Sequence, residues 1–380
     1  MAGGSQAHAK MRAMKRPATH ADHPAHALLG LELMRFACAV SVLLWHYQHF
    51  FYQGNAPVGF ETTAQPLYAW LKPFYEAGWL GVQAFWALSG FIFFWKYAQP
   101  VAQGRVSTRR FAVLRFSRLY PLHLLTLLIA AALGLWYRHL HGSDYVYQYN
   151  DWGHFALQLF MASDWPGRSE WSFNGPIWSI SIEVLVYALF FALCKLGLTR
   201  WWQVLGLIGA AAVAYALKLT AHPIVLCVFF FYLGALTHLA HEALIKRPPL
   251  QQYAAQAAGL LAVAAGTMLL MSGKLRAMFY VAVLTPVALI VLLDWVQPRS
   301  AAAIRWINRL GNTTYASYLL HFPLQLLLAC LTTSLGFTLP LHEPAWVLAY
   351  LVCVFGLASL VYRIIEMPAQ AWLRQRLRTH

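Results

Sequence analysis

Ten apolar runs of about twenty residues divide this chain, and they constrain its fold more than any other feature. They lie at 29–51, 77–96, 111–137, 176–196, 202–220, 223–240, 254–272, 278–295, 314–334 and 344–365. A helix needs roughly 20 apolar residues to cross a hydrocarbon core, where its backbone polar groups must be bonded internally. The sequence therefore predicts an all-α polytopic membrane protein with about ten transmembrane helices. The runs 202–220 and 223–240 are the weakest.

Composition and charge agree with this class of protein. The chain is 60% hydrophobic and 11% charged, whereas soluble domains are about 25% charged. A net charge of +15 would suggest nucleic-acid binding in a soluble protein, but here it follows the topology. With the N-terminus inside, the inner segments carry eighteen Lys and Arg residues and the outer segments carry six. This bias predicts that both termini are cytoplasmic, and we expect a lipid bilayer and no nucleic acid as partner.

The sequence predicts one membrane domain flanked by two basic tails. We expect a flexible basic cytoplasmic tail at 1–27, a membrane domain at 28–368 and a basic cytoplasmic tail at 369–380. The five cysteines fall in or next to apolar runs, which predicts small core residues and no metal site. The longest loop, 138–175, mixes aromatic residues with carboxylates. Such a mixture fits either an interfacial belt or a surface that binds sugar.

The first apolar run contains an arginine and a histidine, Arg35 and His46. Charged and titratable residues inside a membrane helix are costly, so they are candidates for a functional site. Eleven residues of α-helix bring both side chains to one face, roughly 16 Å apart along the axis. This places a cation toward the cytoplasm and a base toward the outside. The alternative is a snorkelling arginine and a polar helix–helix contact.

A basic cluster opens the third apolar run. Arg115 and Arg118 are three residues apart and share a helical face, and Arg109 and Arg110 directly precede them. Such a cluster suits phosphate groups. The positive-inside rule explains Arg109 and Arg110 equally well, but it explains Arg118, which lies inside an apolar run, less well.

Three further polar sites lie in apolar runs. Glu183 could orient a catalytic base or could pair with an arginine. His321 is a second intramembrane histidine, and a helix–helix hydrogen bond is an equal alternative for it. Small residues around Ser89 and Gly90 would let a backbone or a thin ligand pass closely.

These residues together suggest one reaction type. A phosphate-binding cluster at the inner face and a base near the outer face fit an acyl-coenzyme A held across the membrane. Its phosphates would lie on Arg110, Arg115 and Arg118, with Arg35 nearby, and its thin arm would present the thioester near His46. His46 would deprotonate an acceptor hydroxyl, or would take the acyl group itself. The first route is preferred, although the sequence does not decide between them.

In these residues the chain resembles acyltransferase family 3, the integral-membrane O-acylating enzymes of bacterial surface polysaccharides and related acceptors. The resemblance runs from about residue 28 to residue 375. It rests on motifs in the order of that family: Arg35-x10-His46, Ser89-Gly90-Phe91, Arg115-x2-Arg118-Leu119-Tyr120-Pro121, Trp178-Ser179-x3-Glu183, Tyr315-x2-Tyr318-Leu319-Leu320-His321-x-Pro323 and Glu366-Met367-Pro368.

The resemblance implies a ten-span enzyme in the bacterial inner membrane, with acetyl-CoA or another acyl-CoA as co-substrate. The acceptor would be a hydroxyl of a surface polysaccharide or a lipid-linked sugar. His46 and Glu183 are the expected catalytic residues. Arg35, Arg110, Arg115, Arg118 and Ser89 would contact the donor, and Trp178, Tyr318 and His321 the acceptor. The alternative is a proton-coupled transporter or exporter of a glycan or small molecule.

Overall fold

A computed structural model describes residues 29–54, 56–165, 170–298 and 300–377 of the chain. The predicted tail at 1–27 lies outside these residues. Fourteen α-helices form most of the described chain: α1 (Leu29–Trp45), α2 (Tyr68–Ala77), α3 (Gly81–Phe93), α4 (Gln99–Ala102), α5 (Thr108–His141), α6 (Trp152–Leu159), α7 (Trp178–Lys195), α8 (Trp201–Ala216), α9 (Ile224–Leu244), α10 (Pro249–Met271), α11 (Ala277–Trp295), α12 (Ala301–Leu335), α13 (Pro344–Val361) and α14 (Met367–Arg376).

Short segments of other geometry interrupt or extend these helices. A 3₁₀ segment, His46–Phe51, continues α1 and leads into a two-stranded antiparallel ribbon of β1 (Tyr52–Gln53) and β2 (Ala56–Pro57). Further 3₁₀ turns occur at Thr62–Ala64, Gly78–Leu80 and Gly175–Ile177, and π-helical segments occur at Phe94–Ala98 and Tyr362–Glu366.

Nine helices in the described parts of the chain are long and apolar enough to span a membrane. This confirms the prediction of an all-α polytopic membrane protein. The tenth predicted span, 202–220, corresponds to α8, which has only 16 residues. At 1.5 Å per residue α8 is about 24 Å long, shorter than a hydrocarbon core of about 30 Å. By length, therefore, nine of the ten predicted spans are confirmed. Helix α8 still joins the two ends of the bundle, because α7 and α9 both begin beside Asp164 and Trp165.

Helices α5 and α12 run side by side in the same direction and define the two ends of the bundle. The Tyr315 hydroxyl donates to the Leu119 carbonyl at 2.6 Å, and farther along Thr333 lies 2.9 Å from the His141 ring. We call the end that carries Arg115 and Arg118 the basic end. The opposite end, where residues 142–165 and 170–177 lie, is called the loop end. Twenty residues from Arg118 to Arg138 correspond to about 30 Å, so the two ends are one membrane thickness apart.

The C-terminal helix lies at the basic end. The Arg374 side chain donates to the Ser117 hydroxyl at 3.2 Å and to the Gln370 amide oxygen at 3.0 Å. Residues up to Arg376 of the predicted basic tail are thus helical and pack against α5. The orientation of the two ends across a membrane remains a prediction.

Candidate active site

A cavity of about 470 Å³ opens at the basic end. Its walls come from helices that are far apart in sequence, α1, α3, α5, α7, α12 and α14, so only the folded bundle creates it. Five cationic side chains line it: Arg35, Lys96, Arg115, Arg118 and Arg374. Two carboxylates, Glu32 and Glu183, also line it. The excess of cations over carboxylates suits a ligand that carries several negative charges.

Of these arginines, the two of α5 are held by partners inside the protein. Arg118 forms an ion pair with Glu366, whose side chain is 1% exposed, and its guanidinium lies 5.5 Å from the centre of the Tyr315 ring. Arg115 donates to the Tyr97 hydroxyl at 2.7 Å and lies 4.8 Å from the centre of the Phe93 ring. These contacts fix the cations in place before any ligand binds, which lowers the entropy lost on binding.

The structure brings Arg35 into this cavity but leaves Arg110 outside it. Arg35 forms an ion pair with Glu32 at 3.0 Å, one turn earlier on α1. Arg110 is exposed on the first turn of α5 and does not line the cavity, although its amide is bonded to the Ser107 cap. Arg110 lies on the first turn of α5, one turn before Leu114, the first α5 residue that lines the cavity, so it falls short of the cavity along the helix axis.

Glu183 and Ser89 lie together in the wall of the cavity. Glu183 accepts a hydrogen bond from the Tyr187 hydroxyl at 2.6 Å and interacts with the Ser89 hydroxyl. Both residues line the cavity, as a donor-binding role for Ser89 requires. The sequence left two roles open for Glu183, the orientation of a catalytic base and a pair with an arginine, and its partners here are Tyr187 and Ser89. The partner at the His46 Nδ1 is the carbonyl oxygen of Val42, at 3.0 Å.

Tyr318 is a hydrogen-bonded residue in the cavity wall. Its hydroxyl lies 2.7 Å from the Ser179 hydroxyl and donates to the Pro176 carbonyl at 2.8 Å. Trp178, one residue before Ser179, does not line the cavity. Its ring packs against Trp86, which does, and against Trp171 of the loop end.

Three histidines meet beyond Tyr318. The ring centre of His46 lies 4.8 Å from that of His321 and 4.8 Å from that of His49. The structure thus joins two predicted site residues, His46 and His321, that are 275 positions apart in sequence. The sequence interpretation did not include His49. Residues i and i+3 of a 3₁₀ helix eclipse each other, so the 3₁₀ segment that begins at His46 places His49 above it.

The backbone partners of two histidines define their tautomers. His46 Nδ1 lies 3.0 Å from the Val42 carbonyl, and His321 Nδ1 lies 2.7 Å from the Tyr318 carbonyl. A carbonyl oxygen only accepts hydrogen bonds, so each neutral ring carries its proton on Nδ1. Each Nε2 therefore presents a lone pair, the form that a general base requires.

Gln325 connects His46 to His49. Its amide nitrogen donates to the His46 carbonyl at 2.9 Å, and its oxygen lies 3.3 Å from His49 Nδ1. Gln325 is fully buried one turn after His321 on α12. The sequence interpretation missed this residue, and its only signal was a glutamine inside an apolar run. Within the described residues, no group of three or more His, Cys, Asp or Glu is arranged to hold a metal.

A second cavity, which we call the outer groove, lies at the loop end and has a volume of about 510 Å³. Leu128, Ala131, Gly134 and Leu135 of α5 form one wall. Leu128 is 50% exposed and Leu135 is 67% exposed, so this wall opens toward the lipid side. The other walls are largely aromatic and come from the loop-end connection and α12: Tyr145, Tyr147, Trp152, Phe155, Phe173 and Phe322.

Polar groups surround the outer groove where it leaves the apolar wall. Arg138 donates three hydrogen bonds to Asp144, of 3.2, 2.8 and 2.9 Å, and Asn150 and Asp151 also line the groove. Asp151 caps α6, and hydrogen bonds from the backbone amide and the ring of His154 lower the pKa of its carboxyl group. Asp151 therefore stays ionised to lower pH than a free aspartate.

A row of aromatic rings joins the basic cavity to the outer groove. From Tyr318, the distances between successive ring centres are 6.0 Å to His321, 4.8 Å to His46, 4.8 Å to His49 and 5.9 Å to Tyr147. Tyr318 lines the basic cavity, and Tyr147 lines the outer groove. The histidines therefore lie between two cavities that open at opposite ends of the bundle.

The acyltransferase family 3 profile, described as an acyltransferase domain, matches residues 28–363. The chain belongs to this family. Membership of this family confirms the prediction that the protein is an acyltransferase, and the enzyme is therefore favoured over the transporter alternative. Together with the apolar helices, it identifies a multi-pass membrane acyltransferase.

A curated relative shares part of the sequence. Acyltransferase MdmB of Streptomyces mycarofaciens is 31% identical over 142 residues. That stretch covers 35% of this chain and 34% of the length of MdmB. No solved structure matches the chain.

Proposed function

We propose that this acyltransferase moves an acyl group, most simply acetyl, from acyl-CoA in the basic cavity to a carbohydrate hydroxyl presented at the outer groove. The row of rings from Tyr318 to Tyr147 is the observation that carries the proposal. It places two Nε2 lone pairs between a cationic cavity and an aromatic groove at opposite ends of the bundle. A donor and an acceptor that approach from opposite sides of a membrane would meet there.

The charge of the basic cavity supports acyl-CoA as the donor. Coenzyme A carries three phosphate groups, and guanidinium groups bind phosphate through paired hydrogen bonds. Arg115, Arg118 and Arg374 would hold these phosphates, with Arg35 and Lys96 beside them. The narrow pantetheine arm would pass the Ser89 and Glu183 wall and bring the thioester to Tyr318 and His321.

This role gives the bundle its orientation. Because acyl-CoA is made in the cytoplasm, the basic end would face the cytoplasm, in agreement with the positive-inside rule. Both termini would then be cytoplasmic, and the outer groove would open outside a bacterial inner membrane. Arg35 and His46 would lie toward opposite faces, as their spacing on the first span predicts.

The outer groove suits a sugar that is attached to a lipid or a polymer. Its aromatic walls can stack on sugar rings, and its carboxylates and amide can bond sugar hydroxyls. Its α5 wall opens toward lipid, so an acceptor anchored in the outer leaflet could enter sideways. A surface polysaccharide or its lipid-linked precursor is thus the acceptor class that we propose.

His46 would act as the general base. Its Nε2 carries a lone pair, and its Nδ1 is tied to Val42, so the ring is oriented without a carboxylate partner. It would remove the proton from the acceptor hydroxyl as the oxygen attacks the thioester carbon.

The proposal is tested by the ester content of the cell surface. Surface polysaccharide is purified from cells that carry the wild-type gene or an empty vector, and alkali-labile acetyl groups are measured. Acetyl esters that depend on the gene would support the proposal. If membranes that contain the protein transfer no label from acetyl-CoA to the alkali-treated polysaccharide, this donor and acceptor pair is rejected.

Removing one phosphate-binding cation should weaken donor binding without affecting the chemistry. Arg374→Gln leaves no carboxylate unpaired, because the partners of Arg374 are Ser117 and Gln370. We expect a KM for acetyl-CoA about 10-fold higher, since a charge-assisted hydrogen bond contributes roughly 1.5–3 kcal/mol. The rate with acetyl-pantetheine, which lacks these phosphates, should be unchanged.

Arg305→Gln is the matched control, because Arg305 is an exposed cation on the first turns of α12. Its KM for acetyl-CoA should stay within twofold of the wild-type value. An equal loss with acetyl-CoA and acetyl-pantetheine in Arg374→Gln would contradict phosphate binding by this residue.

Filling the outer groove should block the acceptor but spare the donor. A Cβ at Gly134 would meet no atom within 4 Å, and Gly134 lines the groove, so we expect the indole of Gly134→Trp to occupy it. We expect transfer to the polysaccharide to fall at least tenfold while the KM for acetyl-CoA is unchanged. Gly209→Trp on α8 is the control, since a Cβ there is equally free. Full transfer by Gly134→Trp would show that the acceptor does not use this groove.

A further inference from the structure

His321 has a buried nitrogen that no described residue satisfies. Its side chain is fully buried, and Nδ1 is bonded to the Tyr318 carbonyl. Within the described part of the chain, its Nε2 has no hydrogen-bond partner. Burial of a polar atom without a partner is unfavourable, so such an atom points to a ligand or a proton that binds there.

His321 also lies at the donor side of the histidines. It is one turn after Tyr318, which lines the basic cavity, and the two ring centres are 6.0 Å apart. The next ring toward the outer groove is that of His46, 4.8 Å away. A proton that moves from the acceptor side to the donor side would therefore pass His46 before it reaches His321.

We propose that His321 is a catalytic residue that returns the proton of the acceptor hydroxyl to the sulfur of the departing coenzyme A. The proposal rests on the function proposed above and adds the route of the proton. Between His46, the base, and the basic cavity, the row of rings contains only His321 and Tyr318. The Tyr318 hydroxyl is already bonded to Ser179 and Pro176.

The step balances in atoms and charge. The acceptor O–H bond breaks, its proton moves to His46 Nε2, and the oxygen bonds to the thioester carbon. The C–S bond then breaks, and the electron pair goes to sulfur. His46 Nε2 passes its proton to His321 Nε2, and that nitrogen gives it to the sulfur. Both rings end neutral, and free coenzyme A leaves as a thiol.

The surroundings of the thioester explain why sulfur would need this proton. A thiolate is a moderate leaving group in water, but an apolar site disfavours the charged form of a thiol. An uncompensated anion in such a site is costly. A proton delivered as the C–S bond breaks avoids this charge, and general acids contribute typically 10²–10⁴-fold to such steps.

The test compares a thiolate with an alkoxide as leaving group, in a variant that keeps the hydrogen bond to the Tyr318 carbonyl. In His321→Asn, the side-chain amide can still donate to the Tyr318 carbonyl, but the second ring nitrogen is lost. We expect kcat with acetyl-CoA to fall about 100-fold and the KM for acetyl-CoA to be unchanged. With the oxygen-ester analogue of acetyl-CoA, kcat should fall at least tenfold further, because an alkoxide needs the proton more than a thiolate does.

The outcomes separate this proposal from the function on which it rests. If wild-type membranes transfer no acetyl group, the proposed function fails. If wild type transfers but His321→Asn loses the same factor with both esters, a structural role explains the loss and the proton route is rejected. A kcat like that of wild type also rejects it. Equal amounts of monodisperse protein in detergent show that each variant is folded.

Discussion

Replacing His46 by glutamine should lower the rate of acyl transfer by about 10²–10⁴-fold, the usual contribution of a general base. Glutamine is close to histidine in length and stays uncharged, and its amide nitrogen takes the place of Nε2. It has no lone pair of comparable basicity, so the acceptor hydroxyl would keep its proton. The KM for acetyl-CoA should be unchanged, because the cations of the basic cavity are on other residues.

Measurement of kcat and KM in membranes with matched protein levels checks this expectation. His139→Gln is a suitable control, since His139 is exposed near the end of α5 and lies outside both cavities. Its kcat should equal that of wild type. Wild-type kcat in His46→Gln would remove His46 from the mechanism and would favour His49, the next ring in the row, as the base.

The sequence allowed much of the basic cavity to be predicted, because its residues stand out against apolar runs. Arg35, Arg115 and Arg118 are costly in a membrane helix, and this cost is visible without a structure. The structure places all three in one cavity. Periodicity also predicted the helices well, since a membrane span leaves a long continuous signal. The length of helix α8 was overestimated because the apolar run continues into the turn that follows the helix.

Contacts between distant segments could not be predicted in the same way. Arg118 pairs with Glu366 across 248 positions, and His46 meets His321 across 275. No periodicity within one helix determines which residue of another helix it touches. Glu183 shows both cases: its bond to Tyr187, one turn later on the same helix, follows from helix geometry, whereas its contact with Ser89 of α3 does not. The change from α to 3₁₀ geometry at His46, which positions His49, also leaves no clear signal in the sequence.

The motif around Ser89 and Gly90 is explained by packing of α3 against α9. A Cβ on Gly90 would lie 1.7 Å from the Phe231 carbonyl oxygen, and a Cβ on Gly234 would lie 1.7 Å from the Ala87 carbonyl oxygen. The two glycines thus make reciprocal contacts in which each helix backbone touches the other. Of the two alternatives that the sequence left open at Gly90, close approach of a backbone is the one observed.

Gly234→Val should therefore greatly reduce the amount of folded protein. Backbone atoms cannot move aside as a side chain can, so α9 would have to separate from α3, and the walls that carry Ser89 and Trp86 would move with it. We expect several-fold less monodisperse protein in detergent and a lower thermal midpoint, both measured by fluorescence-detected size exclusion. Gly206→Val on α8 adds the same atoms in open space and should behave like wild type. Wild-type yield and midpoint in Gly234→Val would mean that α3 and α9 are not in backbone contact, and that the wall of the basic cavity is built differently.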